Sequence, residues 1–223
     1  MRLRRAVAKA IFGPSFALSQ WGERHGVESL TYNPGVHLFY HYTALNIATQ
    51  AIGAIAAEIP TAQTWLDVGC GTGMFAKAVR RQGGSVSACE YSRFARTIGG
   101  LYGIDIAPLD LTHDLPGDLA GPFDIAYSLE VAEHLPPQLG DRLVALLARS
   151  APVVVFSAAH PGQYGQGHVN EQEKPYWIER FERHGYWHDA DSSRRIVERI
   201  DDPKGQAWYI RRNLMVLRRA APA

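Results

Sequence analysis

Thr64-Trp65-Leu66-Asp67-Val68-Gly69-Cys70-Gly71-Thr72-Gly73 is the stretch that decides how this chain folds. An apolar run ends at an acid, three glycines follow at alternate positions, and helical composition resumes in MFAKAVRRQG (74–83). Glycine lets the backbone turn tightly and lets a ligand approach it, so strand, glycine turn and helix together open an α/β unit. The same rhythm continues downstream. SVSACE (85–90), GIDIAPLD (103–110), FDIAYSLE (123–130) and PVVVFSAA (152–159) are short apolar runs suited to strands buried on both faces. SRFARTIGGLYG (92–103) and QLGDRLVALLARS (138–150) separate them with helical composition. Such alternation predicts a doubly wound α/β sheet.

Outward from this core the pattern changes. Residues 1–62 read as an N-terminal arm and cap helices, and 63–223 as the sheet domain. YHYTALNIATQAIGAIAAEI (40–59) has the length and spacing of a helix, ended by Pro60. His37 and His41 are expected ahead of that helix, able to close over a substrate. Near the C-terminus, KPYWIERFERHGY (174–186) reads as a helix and WYIRRNLMVLRR (208–219) as a final strand, with Trp208 and Tyr209 in the sheet. Tyr186–His188 is expected to start an earlier strand that pairs with the last one as a hairpin at a sheet edge.

The 223 residues, 46% hydrophobic and 20% charged, suit one globular domain with a sizeable core. A formal net charge of +1 does not suggest a broad nucleic-acid-binding face. Cys70 and Cys89 cannot build a disulfide framework, and both read as small apolar residues on or beside buried strands. The cytoplasm is the expected compartment. No apolar run reaches the ~20 residues of a membrane-spanning helix. The first residues carry Arg2, Arg4, Arg5 and Lys9, and no acid precedes Glu23. Lys9, Gly13 and Pro14 interrupt the apolar stretch that a signal peptide needs. A solvated arm is expected, with a membrane-surface helix as the other reading.

Three ligand classes use a glycine loop of this kind. A phosphate-binding loop ends in Gly-Lys-Ser/Thr, which is absent here. The dinucleotide fingerprint is G-x-G-x-x-G, whereas this loop is G-x-G-x-G, with Met74 where the third glycine or alanine belongs. Asp67 would repel a pyrophosphate. It would attract an ammonium or a sulfonium, and S-adenosylmethionine has both. Glu90 ends the next strand, where an acid can accept both ribose hydroxyls. Asp110 is a candidate for the adenine amine, with Leu111 packed on the ring. Ser128, at the end of the fourth strand, would face the methionine portion.

DVGCGTG (67–73), Glu90, LDL (109–111) and FDIAYSLEVAEHL (123–135) in this order resemble the class I S-adenosylmethionine-dependent methyltransferases, over roughly residues 40–219. The resemblance implies a Rossmann-like seven-stranded, mostly parallel sheet with helices on both faces and an antiparallel last strand. It implies S-adenosylmethionine as cofactor, held at Asp67, Gly69, Gly71, Glu90, Asp110 and Ser128, with an N-terminal helix covering it. The stretch from Phe156 to Tyr186 resembles methyltransferase-domain proteins of glycan and natural-product biosynthesis.

Methyl transfer from a sulfonium is an in-line displacement governed by positioning. A hydroxyl acceptor gains from a general base, and the candidates are His134 and His168, with His160 beside the second. Glu130, Glu133, His134 and His168 could also ligate a divalent metal. That set is similar to the two-Glu, two-His site of small-RNA 3′-terminal 2′-O-methyltransferases. However, E-x-x-E-H-L recurs in class I enzymes with no known metal. Tyr40, Tyr42, Tyr164, Tyr176 and Trp177 fall in segments expected to line the pocket. The expected function is O-methylation of a small molecule or glycan intermediate. The alternatives are a methyltransferase acting on RNA or another macromolecule, supported by Arg194–Arg195, Arg211–Arg212 and Arg218–Arg219, a non-catalytic S-adenosylmethionine-binding protein, and a nicotinamide oxidoreductase.

Overall fold

A computed structural model describes residues 2–113, 121–203 and 205–221. In chain order the elements are α1 (Arg2–Arg24), α2 (Glu28–Thr31), α3 (Pro34–Glu58), β1 (Thr64–Val68), α4 (Met74–Arg81), β2 (Ser85–Glu90), α5 (Arg93–Leu101), β3 (Ala107–Pro108) and β4 (Ile125–Leu129). Then follow α6 (Pro137–Ser150), β5 (Val153–Ser157), α7 (Lys174–Glu182), β6 (Tyr186–His188), α8 (Ala190–Arg199), α9 (Trp208–Asn213) and β7 (Met215–Arg219). The strands form one sheet in the order β3-β2-β1-β4-β5-β7-β6. β1 to β5 run parallel, and β7 is antiparallel to both its neighbours. This is the expected Rossmann-like α/β architecture. Strand order reverses between β1 and β4, which opens a crevice at the carboxyl ends of those strands.

The sheet is buried on both faces because its central strands alternate between two cores. Ile125, Tyr127, Val155 and Val216 join a cluster with α3, α4, α8 and α9. Ala126, Val154, Phe156 and Leu217 join the opposite cluster, with α6 and α7. Continuous apolar sequence is therefore what these strands require. Cys70 and Cys89 are both buried and free, as expected.

Helix α3 starts six residues before the expected Tyr40. The side chain of Asn33 caps it, accepting from the Gly35 and Val36 amides, and Pro34 fits the first turn. The same Asn33 amide donates to the carbonyls of Ser15 and Leu30, tying α1 and α2 to α3. His37 and His41 consequently lie inside α3 rather than ahead of it.

The C-terminal region departs further. Only Met215–Arg219 is strand, while Trp208 and Tyr209 begin α9 instead of lying in the sheet. The Asp202 carboxylate accepts from the Gln206 and Ala207 amides just before α9, and Ile210 is the helix residue that reaches the core. β6 and β7 do pair at the sheet edge, but α8 and α9 lie between them, so the connection is not a hairpin. Helix α8, unforeseen from the sequence, is capped by Asp189 and fixed to α3 by Glu58. That carboxylate accepts from Arg195 at 2.7 Å, Arg199 at 2.5 Å and Ser192 at 3.0 Å. Arg194 pairs with Asp191 and Arg218 with Asp189, so several of the basic positions are already paired within the fold. Among the described residues no helix is long and apolar enough to cross a membrane.

Candidate active site

Gly69, Gly71 and Gly73 have φ of 76°, 56° and 76°, a left-handed region that β-carbons disfavour. Their loop bends over the end of β2. The Gly69 and Cys70 amides donate to the Cys89 carbonyl, and the Gly71 amide donates to Glu90 Oε2 at 2.9 Å. Glu90 Oε1 accepts from the Ser92 amide at 2.7 Å. A β-carbon placed on Gly71 would meet no atom within 4 Å, so the loop faces open space there.

Asp67 and Ser128 sit at the switch point. Asp67 is 3% exposed and its Oδ2 has no hydrogen-bond partner; Ser128 is fully buried and its hydroxyl is likewise unpartnered. Burial pushes the Asp67 carboxyl up to about 7. Buried polar atoms without partners are costly and rare, and these two lie near the carboxyl ends of β1 and β4, on opposite faces of the sheet, with Tyr127 and the Ala76 amide close to the Asp67 carboxylate. Asp110 is different. Its Oδ1 accepts from the amide and hydroxyl of Thr112, and His113 lies 3.2 Å from Oδ2. The Thr112 hydrogen bonds hold it below the usual carboxylate range. Leu111 is half-buried against the core that contains Leu109.

The N-terminal helices close one side of this crevice. His41 Nδ1 lies 3.0 Å from the Thr72 hydroxyl and stacks near Tyr102, and His37 Nε2 lies 2.8 Å from the Ser92 hydroxyl. Burial lowers His37 to about 4. The Tyr32 hydroxyl reaches 2.9 Å from His134 Nδ1, and Glu23 accepts from the Gly167 amide. The cap thus touches the loops after β1, β2, β4 and β5.

Against the cap, the structure brings His134 and His168 together, with ring centres 4.9 Å apart. Burial, then the neighbouring His168, lowers His134 to about 4. His168 Nδ1 lies 2.7 Å from Glu171 Oε1. Glu133 is 1% exposed, its Oε2 has no partner, and burial followed by the Glu130 charge raises its pKa well above the usual range. Ligand atoms of Glu133, His134 and His168 lie within 4.8 Å of one another. Glu130 does not join them. It adopts φ 56° and accepts from Gln163 and Asn213, which hold it away from the three. Tyr32 and Glu171, unforeseen as site residues, become partners only through tertiary contact or loop geometry. Tyr40, Tyr42 and Tyr164 are exposed; Tyr176 packs under Arg180, and Trp177 is buried in the core.

A family model described as a methyltransferase domain matches residues 39–201. The chain belongs to the class I S-adenosylmethionine-dependent methyltransferase family. Within this methyltransferase, 98 residues are 29% identical to a ubiquinone biosynthesis O-methyltransferase of Chromobacterium violaceum, covering 41% of the chain and 42% of that protein. The same enzyme of Caulobacter vibrioides is 36% identical over 77 residues, 32% of the chain and 31% of its own length. The matches therefore span less than half of these curated relatives. Among solved structures, an S-adenosylmethionine-bound amino pentose methyltransferase from Micromonospora echinaspora is similar, with TM-score 0.58 and 18% identity over 79% of the chain and 91% of that protein. A TehB-like methyltransferase from Corynebacterium glutamicum gives 0.60 and 16% over 84% and 100%. These likenesses share the fold.

The residues present fit S-adenosylmethionine. The unpartnered Asp67 oxygen suits an ammonium, Glu90 keeps lone pairs for hydroxyl donors beyond its two amides, and Gly71 leaves room beside the loop.

Proposed function

We propose that this methyltransferase transfers a methyl group to a hydroxyl of a small molecule or glycan intermediate, with His168 as general base. The observation that carries the reading is the His168–Glu171 pair, which lies beside a neutral, half-buried His134 where the loops after β4 and β5 meet. S-adenosylmethionine supplies the activated methyl on its sulfonium. Asp67 binds the ammonium, Glu90 the ribose hydroxyls and Ser128 the methionine portion. Asp110, already satisfied by Thr112, contributes less than the sequence alone implies.

A base at about 4 is too weak to deprotonate a hydroxyl near neutral pH, so His134 orients rather than accepts. Glu171 fixes the tautomer of His168 and stabilises the imidazolium formed when Nε2 takes the acceptor's proton. The names of the curated relatives support oxygen as the acceptor atom. The test is transfer from labelled S-adenosylmethionine to a panel of phenols, catechols, sugars and amines. His168→Gln is expected to lower kcat by about 10²–10⁴ while leaving cofactor affinity unchanged. Full activity in that variant, or transfer to amines alone, would overturn the assignment.

A second reading rests on the Glu133, His134 and His168 cluster. The hydrogen bonds to both imidazoles fall on Nδ1, leaving Nε2 as the nitrogen for a divalent cation. A bound cation would also relieve the unpartnered Glu133 oxygen. Elemental analysis of purified protein and activity after chelation decide between the two. A stoichiometric metal whose removal abolishes transfer favours this second reading, and metal-free protein with undiminished transfer excludes it.

A further inference from the structure

A cavity of about 160 Å³ lies where β5 ends and α7 and β7 begin, lined by Ala158, His160, Gln172, Glu173, Lys174, Trp177, Arg212, Asn213 and Met215. None of the positions proposed above to hold cofactor or take the acceptor's proton belongs to it. Four features of its wall point to a ligand.

Trp177 is 1% exposed, yet its indole Nε1 has no hydrogen-bond partner. The far edge of the same ring rests against Gly140, where a β-carbon would come within 3.2 Å of Cη2. Trp177 is one of the residues that line the cavity. His160 is 7% exposed and its Nε2 is also unpartnered, while its Nδ1 lies 3.0 Å from the Pro161 carbonyl. Lys174 spends one N–H on the Leu214 carbonyl and forms no ion pair among the described residues. Burial lowers its pKa, as for an ammonium short of a counter-ion. Arg212, also on the exposed side, brings a second cation without an ion pair among the described residues. Glu173 is the acid of the wall and lies on its exposed side.

An indole N–H, an ammonium and a guanidinium are all donors, and two of the three are charged. Neither a cation nor an apolar group satisfies such a wall; a compact oxyanion does. The cavity also adjoins the acceptor side. Asn213, in its wall, donates to Glu130 Oε1 at 3.0 Å and to Gln163 Oε1 at 2.9 Å, and Glu130 begins the loop that leads to His134.

We propose that this cavity is a subsite for a carboxylate or phosphate group carried by the methyl acceptor. Its place on the acceptor rests on the methyltransferase reading; its preference for an oxyanion does not.

The experiment follows the indole ¹H–¹⁵N resonance of Trp177 in the full chain, assigned with Trp177→Phe. Benzoate and inorganic phosphate are titrated separately, and S-adenosylmethionine binding is measured calorimetrically on the same samples. A saturable shift with at least one anion is expected, weakened tenfold or more in Lys174→Met and in Arg212→Gln, with cofactor affinity within twofold of wild type. Response to benzoate alone would identify a carboxylate, and response to phosphate alone a phosphoryl group. No saturable shift with either anion, or equal shifts in the variants, would overturn the proposal. Loss of cofactor binding in wild type would count against the methyltransferase reading and leave the anion result standing by itself.

Discussion

Single side chains set the pH behaviour of this methyltransferase. Asp67 is held near 7 by burial, above its ordinary value of 3.8. The cost of its charge is absent below pH 4 and grows as pH rises toward 7. A bound ammonium favours the ionised form, so cofactor affinity should strengthen as pH rises from 5.5 to 7.5. Asp67→Asn should weaken binding about tenfold or more at pH 7.5 and flatten that dependence; calorimetry at several pH values reads both. His37 and His134 act in the opposite sense, each lowered to about 4. A depressed histidine contributes stability above pH 6.5 that is lost as pH falls through 4, at about 1.4 kcal/mol per pH unit for each at most. Asp67, Glu90 and Glu133, all raised by burial, act against them, so the test is a difference: between pH 6.5 and 4, His37→Gln should lose less Tm, or gain more, than wild type. The same pH dependence of Tm in both proteins would contradict the burial of the His37 imidazole.

Between elements, what the sequence revealed depends on how local the cause is. Asp67 to Gly73 could be read because a positive φ at alternate positions is a demand that only glycine meets without strain, within one short stretch. The alternating faces of β4 and β5 were equally local. Helix α8 was hidden because Arg194, Arg195 and Arg199 look like a solvated face, whereas Glu58, 137 residues away from Arg195, is what orders Arg195 and Arg199. Glu58→Ala should therefore lower Tm, by about 1 kcal/mol in stability, with cofactor affinity unchanged. The contact between Tyr32 and His134 spans 102 residues and leaves no periodic trace. If the cap positions His134, Tyr32→Phe should reduce kcat more than it alters cofactor binding. Equal activity would make that hydrogen bond structural only.

At the scale of the molecule, the sheet order places the glycine loop, Glu90 and the histidine loops at one end, and the N-terminal helices lie across them. The fold class and the cofactor follow from the order of the motifs along the chain. The acceptor does not, because the cavity proposed for it is lined from α7, α9 and β7, which lie outside the motifs that named the cofactor. The most direct test of the whole account is calorimetric titration of S-adenosylmethionine and its demethylated product into wild type and Gly71→Arg. Binding in the micromolar range, about −8 kcal/mol, is predicted for wild type, and its loss for the variant, whose side chain would fill the open space beside the loop. No binding of either ligand to folded wild-type protein, or unaltered binding in Gly71→Arg, would contradict it.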